Sequence, residues 1–188
     1  VGLVAHILEE GTSGSVQEER ARLITGHDLV EIFGLEPGPA FRRLLDAVES
    51  IIGPEITSNP IQHVRIKVPE RYIDKDRRGG LGGTTVWHQD NGVVLPDADE
   101  TDMLTVWFPL TDAAIEQGCL CVIPKSHREG LMHHCPANWG LEIPETVYER
   151  SNILPVPMQR GDVLFLHKHT CHSSLPNKSH EIRWSFDL

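Results

Sequence analysis

The segment TTVWHQD, residues 84–90, is the stretch of sequence that decides the fold. Its β-branched and aromatic residues predict a strand, on which residues two apart point to the same face. His88 and Asp90 would then project together into the interior. An imidazole and a carboxylate can occupy adjacent positions on one metal ion, with a second histidine completing a three-ligand face. The alternative is a strand histidine beside a solvated aspartate.

Short strands separated by turn residues are predicted on both sides of this segment. Apolar and polar residues alternate from residue 64 to residue 68, which is the period of a half-buried strand. The stretches 74–83, 91–102 and 133–152 are polar or irregular and are predicted to be loops. The predicted strands are 64–68, 84–88, 103–110, 119–123, 163–167 and 182–188.

Helical patterns occupy the front of the chain. Residues 17–33 have helix-compatible spacing, and residues 41–52 carry one apolar stripe, with Pro39 near the first turn and Gly53-Pro54 after the end. Helices followed by many short strands predict a mainly β fold with flanking helices, a double-stranded β-helix (jelly-roll, cupin-like) barrel. We expect a single domain over residues 1–188, with a helical front at 17–53 and a jelly-roll core at 54–188.

Composition restricts the possible partners. The 188 residues include 17 basic and 27 acidic ones, for a net charge of −10, which disfavours nucleic acid as a ligand. No apolar run is long enough for a membrane span, and no signal peptide is recognisable. A small-molecule partner is therefore expected, and the oligomeric state is not predicted. The chain lacks an initial Met and stops inside a predicted strand, so we expect it to be part of a longer protein.

The cysteine pattern bears on the cellular compartment. The four cysteines contain no C-x-x-C pair, and a chain of this length does not need disulfides. Reduced thiols and a cytoplasmic location are expected. A cysteine-rich zinc site would have poor ligand spacing.

Several other histidines compete for a role at the metal. His127-Arg128-Glu129 is an H-x-E pair, but it follows Pro124 and is predicted to lie in a turn. The third ligand is expected from the histidine-rich region near the end of the chain. The residues alone leave four candidates for it: His167, His169, His172 and His180.

The order of four motifs makes this sequence resemble the phytanoyl-CoA dioxygenase family of Fe(II)- and 2-oxoglutarate-dependent oxygenases. The resemblance extends from about residue 51 to the end, and Lys125 departs from it where glycine is usual. The motifs are Trp87-His88-Gln89-Asp90, Trp107-Phe108-Pro109-Leu110, the segment GCLCVIPKSH at 118–127, and the segment HSSLPNKS at 172–179 followed by Arg183.

The resemblance implies a ligand set. Carried over residue by residue, it assigns Fe(II) to His88, Asp90 and His172, which are then the catalytic, metal-binding residues. The side of the metal away from these ligands would accept 2-oxoglutarate and dioxygen. Gln89 and Asn91 flank the ligands and are candidates for orienting them.

The resemblance also implies a cosubstrate site. Arg183 would bind the distal carboxylate of 2-oxoglutarate, with Ser174 as a helper and Trp107 close to the cofactor. A guanidinium presents a planar fork that matches a carboxylate, which agrees with this role. His63 and Lys67 lie on a strand expected to border the pocket, and both are candidates for contact with cosubstrate or substrate.

The reaction implied by the resemblance is oxidation of an unactivated C–H bond, coupled to decarboxylation of 2-oxoglutarate to succinate and CO2. The substrate would be a small-molecule metabolite or a natural-product intermediate. An alternative is a cupin-like metal enzyme that does not use 2-oxoglutarate, which would have no need for Arg183. A second alternative is a non-catalytic binding module, although such a module would be expected to have lost a ligand.

Overall fold

The computed structural model describes residues 39–59, 62–77, 83–138 and 140–188. The chain divides into two compact units, Val1–Gln62 and His63–Leu188. The helix predicted at 17–33 lies outside the described residues. Organisation as one domain remains a prediction.

The first unit contributes helix α1, Pro39–Ile52, which confirms the second predicted helix. Pro39 stands at its first residue, where a missing N–H costs no hydrogen bond. The helix ends at Gly53, whose φ of 89° favours glycine and whose N–H donates to Glu49 O at 2.8 Å. The apolar stripe is shielded at Val48, whereas Ile51 at the end of the helix is 53% exposed. No described helix is long and apolar enough to cross a membrane.

The second unit is built of short antiparallel strands, which confirms the mainly β prediction. The described strands form a four-stranded sheet in the order β1-β9-β2-β7, a three-stranded sheet in the order β6-β3-β8, and the hairpin β4-β5. They do not form a closed barrel in the described part of the chain. The strands are β1 His63–Lys67, β2 Leu104–Pro109, β3 Leu120–Val122, β4 Cys135–Ala137, β5 Gly140–Glu142, β6 Leu154–Val156, β7 Leu164–His167, β8 His172–Ser174 and β9 Arg183–Asp187.

Strand register brings distant polar residues together. In the four-stranded sheet, Lys67 of β1 lies directly opposite Arg183 of β9. In the three-stranded sheet, β3 pairs with β8. His172 and Ser174 are two residues apart on β8. Because side chains alternate along a strand, His172 and Ser174 point to the same face.

Two predicted local structures are wrong. Residues 84–88 were expected to form a strand, but only isolated bridges occur there, and Asp90 begins a short 3-10 turn, Asp90–Gly92. The stretch 133–152, expected to be an irregular loop, contains the β4-β5 hairpin. Both segments are fixed by contacts with distant residues, which local patterns do not report.

Apolar side chains of β2, β3 and β7 meet in the main core cluster of the second unit. The cluster comprises Trp107, Ala113, Cys119, Leu120, Met158 and Leu166.

Gly118, just before β3, allows three chain segments to approach closely. Its φ is +77°, and a Cβ placed on it would lie 2.6 Å from Leu175 O and 2.6 Å from Lys67 Cδ. Gly161 has a similar φ of +94°, but a Cβ there would meet nothing within 4 Å. The two glycines therefore share a backbone preference and differ in packing.

Replacing Gly118 with alanine should destabilise the fold more than the same change at Gly161. Gly161→Ala carries only the cost of a left-handed residue, about 1–2 kcal/mol, whereas Gly118→Ala also forces β3 away from Leu175. We expect a loss of about 3 kcal/mol or more for Gly118→Ala, measured by urea denaturation. Equal losses for the two variants would contradict the close packing at Gly118.

Candidate metal centre and adjoining pocket

Two histidines far apart in the sequence are joined by their backbones. The N–H of His88 donates to His172 O at 3.0 Å, and the N–H of His172 donates to His88 O at 2.9 Å. Through this antiparallel bridge, the single residue His88 pairs with β8 at the edge of the three-stranded sheet. It brings the two imidazole rings to a centroid separation of 4.2 Å.

Hydrogen bonds set the orientation and tautomer of both rings. His88 Nδ1 lies 2.8 Å from Val86 O, and His172 Nδ1 lies 2.9 Å from Thr170 O. Since a carbonyl oxygen only accepts, Nδ1 must carry the proton in each ring. In the neutral ring, Nε2 is then an acceptor. Burial, reinforced by His88, lowers the pKa of His172 and keeps that ring neutral.

The carboxylate of Asp90 faces both Nε2 atoms. Asp90 Oδ1 lies 3.5 Å from His88 Nε2 and 3.7 Å from His172 Nε2. The other oxygen, Oδ2, accepts a hydrogen bond from Thr105 Oγ1 at 2.6 Å. Burial alone would raise the pKa of Asp90, but His172, His88 and the Thr105 hydroxyl hold it well below its usual range.

The geometry of these three residues fits a metal ion. Their ligand atoms all lie within 4.8 Å of one another, and no other such group occurs among the described residues. Adjacent ligands about 2.1 Å from one ion stand roughly 3 Å apart, so a small contraction would complete the site. Two imidazole nitrogens and a carboxylate oxygen brought this close together are a donor set that suits a divalent cation.

The competing histidines are placed elsewhere. The ring centroid of His167 lies 5.4 Å from those of both His127 and His169, with the rings tilted or edge-on to each other. Among the described residues, no carboxylate completes a metal-binding group there. The 3-10 turn Ser126–Glu129 holds the H-x-E pair, as the sequence predicted. His180 contacts Arg71.

Gln89, between His88 and Asp90, ties three segments together. Its side chain is fully buried, donates to Gly130 O at 2.8 Å and His169 O at 2.7 Å, and accepts from Met132 N at 2.7 Å. Its backbone N–H donates to His134 Nε2 at 3.0 Å. These contacts hold the turn that carries Asp90 in place.

Sequence reasoning missed two of the residues around the centre, Thr105 and His134. Thr105 stands on β2 two residues before Trp107, a period that could have placed both on the same face. His134 carried no signal, because its position depends on the turn after residue 129. Asn91, a candidate for orienting the ligands, instead donates to Asp99 Oδ1 at 2.8 Å.

A cavity of about 720 Å³ opens directly onto the centre. It is lined by His88, Asp90 and His172, by residues of β1, β2 and β9, and by the chain before residue 88. Its polar and aromatic lining includes Arg65, Lys67, Thr105, Trp107, Arg183 and Asp187.

Arg183 lies in the wall of this cavity and is 3% exposed. Its Nη1 donates to Ser185 Oγ at 2.6 Å, and its guanidinium carbon stands 5.4 Å from the centre of the Trp107 ring. Its Nε is buried and has no hydrogen-bond partner in the part of the chain that the structure describes. Burial lowers the pKa of Arg183 to about 10, so it remains charged at neutral pH.

Lys67 links the lining of the cavity to Ser174. Lys67 Nζ donates to Ser174 Oγ at 2.5 Å and to Leu175 O at 2.6 Å. The Thr85 N–H also donates to Ser174 Oγ, at 3.0 Å. Ser174 itself does not line the cavity, whereas Lys67 does. Burial, followed by the charge of Arg183, lowers the pKa of Lys67 to about 7.

The fold and the site define a class: a mainly antiparallel β protein with a His-Asp-His group in the lining of a cavity. Residues 7–185 match the phytanoyl-CoA dioxygenase (PhyH) family. The chain therefore belongs to this family, which confirms the resemblance drawn from its motifs.

Curated relatives include proteins named phytanoyl-CoA dioxygenase from Arabidopsis thaliana, 32% identical over 120 residues, and phytanoyl-CoA dioxygenase 1 from Oryza sativa subsp. japonica, 32% identical over 124 residues. These matches cover 62% and 64% of this chain but only 41% and 43% of the relatives, so it matches less than half of their length. EvdO2 from Micromonospora carbonacea var. aurantiaca, solved in complex with 2-oxoglutarate, has a similar fold. Its TM-score is 0.59 at 20% identity, and the match covers 85% of this chain and 62% of EvdO2.

If His88, Asp90 and His172 hold a metal, removing any one of these side chains should strongly weaken metal binding. His172→Ala and Asp90→Ala should each weaken Fe(II) or Co(II) binding by at least about 100-fold, since even outer residues of metal sites account for 10–100-fold. Isothermal titration without oxygen measures the affinity. His127→Ala, which alters the H-x-E pair, should bind metal like the unmodified protein. Normal binding by His172→Ala would contradict the assignment.

Proposed function

We propose that this chain is an Fe(II)- and 2-oxoglutarate-dependent dioxygenase. It hydroxylates, or otherwise oxidises, an unactivated C–H bond of a small-molecule metabolite or natural-product intermediate, with release of succinate and CO2. The observation that carries the proposal is the convergence of two imidazoles and a carboxylate in the lining of a cavity that also contains a buried arginine. Membership of the PhyH family and the 2-oxoglutarate bound by EvdO2 support it.

His88, Asp90 and His172 would hold the metal on one face. Fe(II), when bound, supplies activation of dioxygen, with 2-oxoglutarate as the source of two electrons. The protein holds both Nδ1–H groups on backbone carbonyls, so that each Nε2 lone pair points at the centre. The Thr105 hydroxyl donates a hydrogen bond to Asp90 Oδ2, so that Oδ1 remains directed at the centre. The remaining side of the centre faces the cavity.

Arg183 would bind the far carboxylate of 2-oxoglutarate. It is a buried cation in the cavity wall, and its Nε has no partner among the described residues. Buried charges are normally paired, so an anionic ligand here would satisfy it. Trp107 packs beside the guanidinium and helps to exclude water from the cavity.

The finer features of fold and location belong to the same proposal. The two larger antiparallel sheets would be the halves of a double-stranded β-helix, the jelly-roll core common among cupin-like proteins. Four free thiols, three of them buried, support a reducing, cytoplasmic location. The acidic composition supports a small substrate rather than nucleic acid.

Release of succinate is the direct test of this function. The protein loaded with Fe(II) should convert 2-oxoglutarate to succinate when its substrate is added, and a screen of small metabolites should identify compounds that raise the rate. Succinate is measured by mass spectrometry, and Asp90→Ala serves as the inactive control. Oxidation of a substrate without any need for 2-oxoglutarate would instead favour a cupin-like metal enzyme.

Arg183→Ala should weaken 2-oxoglutarate binding by about 2 kcal/mol or more, because a charge-assisted pair is lost in a desolvated pocket. Binding is measured by calorimetry on the Fe(II)-loaded protein without oxygen. The exposed Arg160 provides a matched control, since Arg160→Ala should leave the affinity unchanged. Unchanged affinity in Arg183→Ala would refute this role.

A further inference from the structure

The extended segment at His88 has partners on both of its edges. One edge carries the backbone bridge to His172. Because N–H and C=O groups alternate in direction along an extended chain, the carbonyl of Trp87 and the N–H of Gln89 point to the other edge. There the carbonyl of Trp87 accepts from the N–H of Ile143 at 2.7 Å. Gln89 is fully buried, so its N–H needs an acceptor on this edge as well.

That acceptor is an imidazole and not a main-chain carbonyl. The N–H of Gln89 donates to His134 Nε2 at 3.0 Å. The other ring nitrogen, Nδ1, lies 2.8 Å from Met132 O and must donate to it, which leaves Nε2 as the acceptor in the neutral ring. The N–H of Met132 donates in turn to Gln89 Oε1 at 2.7 Å. Hydrogen bonds at both nitrogens therefore orient the ring of His134.

The same ring packs against Gly92, the last residue of the 3-10 turn. A Cβ placed on Gly92 would overlap three atoms of the His134 imidazole. Gly92 does not have a positive φ, so glycine is needed here for space and not for backbone conformation. The ring thus contacts the chain at Gln89, before the turn, and at Gly92, at its end. Asp90 lies between these two contacts.

We propose that His134 is a positioning residue for the metal centre, which holds the turn that carries Asp90 by a hydrogen bond on one side and by packing on the other. This inference rests on the proposed function, in which Asp90 is a metal ligand. It adds a residue that does not itself contact the metal. Thr105 orients the carboxylate of Asp90, whereas His134 orients the backbone from which that carboxylate projects.

The role of His134 requires an acceptor as well as a ring. Phenylalanine would fill the same space, but His134→Phe leaves the buried N–H of Gln89 without a partner. Glutamine has no ring, but the Oε1 of His134→Gln can accept that hydrogen bond. The glutamine variant should therefore keep more of the metal affinity than the phenylalanine variant. A residue that served only to fill space would give the opposite order.

The test measures the affinity of the full chain for Co(II) by calorimetry, together with the visible absorption spectrum of the bound ion, which reports ligand geometry. His134→Phe should weaken Co(II) binding about 10- to 100-fold, the range for residues that orient metal ligands, and should shift the spectrum. His134→Gln should lose less than about 10-fold. The exposed neighbour His133 provides the matched control, since His133→Ala should bind Co(II) normally.

Gly92→Ala tests the packing contact independently. Its methyl group would displace the imidazole, so this variant alone should also weaken Co(II) binding about 10- to 100-fold. In a His134→Ala background the same methyl group would enter space that the ring has left. It should then weaken binding by less than about 3-fold relative to His134→Ala alone. A full second loss in the double variant would show that the two residues act separately and would overturn the proposal.

Urea denaturation of the metal-free variants shows which of them fold. Normal Co(II) affinity and an unchanged spectrum in folded His134→Phe would overturn the positioning role and leave the metal site intact. Tighter binding by the phenylalanine variant than by the glutamine variant would also overturn it. If His134→Phe does not fold, Gly92→Ala and the double variant decide the matter. If the unmodified protein bound no Co(II), the proposed function itself would fail.

Discussion

The two-residue backbone bridge between His88 and His172 is the constraint on which the site depends. Its two hydrogen bonds, 2.9 and 3.0 Å long, fix the separation of the two rings before any metal is considered. Each ring is then turned by a hydrogen bond to the carbonyl two residues earlier in its own segment. The imidazoles are therefore held by main-chain geometry, which is stiffer than a set of side-chain contacts.

The remainder of the site divides its charges between two places. Acceptors gather at the metal centre, where Asp90 stays ionised and both rings direct lone pairs inward. Donors gather on the wall formed by β1 and β9, where Lys67 and Arg183 are buried. Each group is unfavourable alone, because buried polar atoms need partners. The acceptor group and the donor group together suit a cation and an anion bound in one cavity. Both groups are held in position before any ligand binds.

Sequence and structure agree least about local conformation. His88 and Asp90 were expected to converge because both would lie on a strand, yet Asp90 begins a 3-10 turn. The convergence arises from Gln89, whose buried amide joins the turn to the segments at Gly130, Met132 and His169. The β4–β5 hairpin was similarly missed, since a short strand pair within an irregular stretch has too few residues to show a period.

The sequence by itself determined the family, the mainly β class and the residue types of the site. Motif order and the alternation of apolar residues can both be recognised without a structure. It also named His88, Asp90, His172 and Arg183 as the residues to examine. Only the tertiary structure brought His172 into contact with His88 and Asp90, gave Asp90 Oδ2 a hydrogen bond from Thr105, and set Lys67 opposite Arg183. These features depend on strand register and on packing between distant segments. A shift of one residue in register reverses the face of every side chain, and local sequence does not encode that choice.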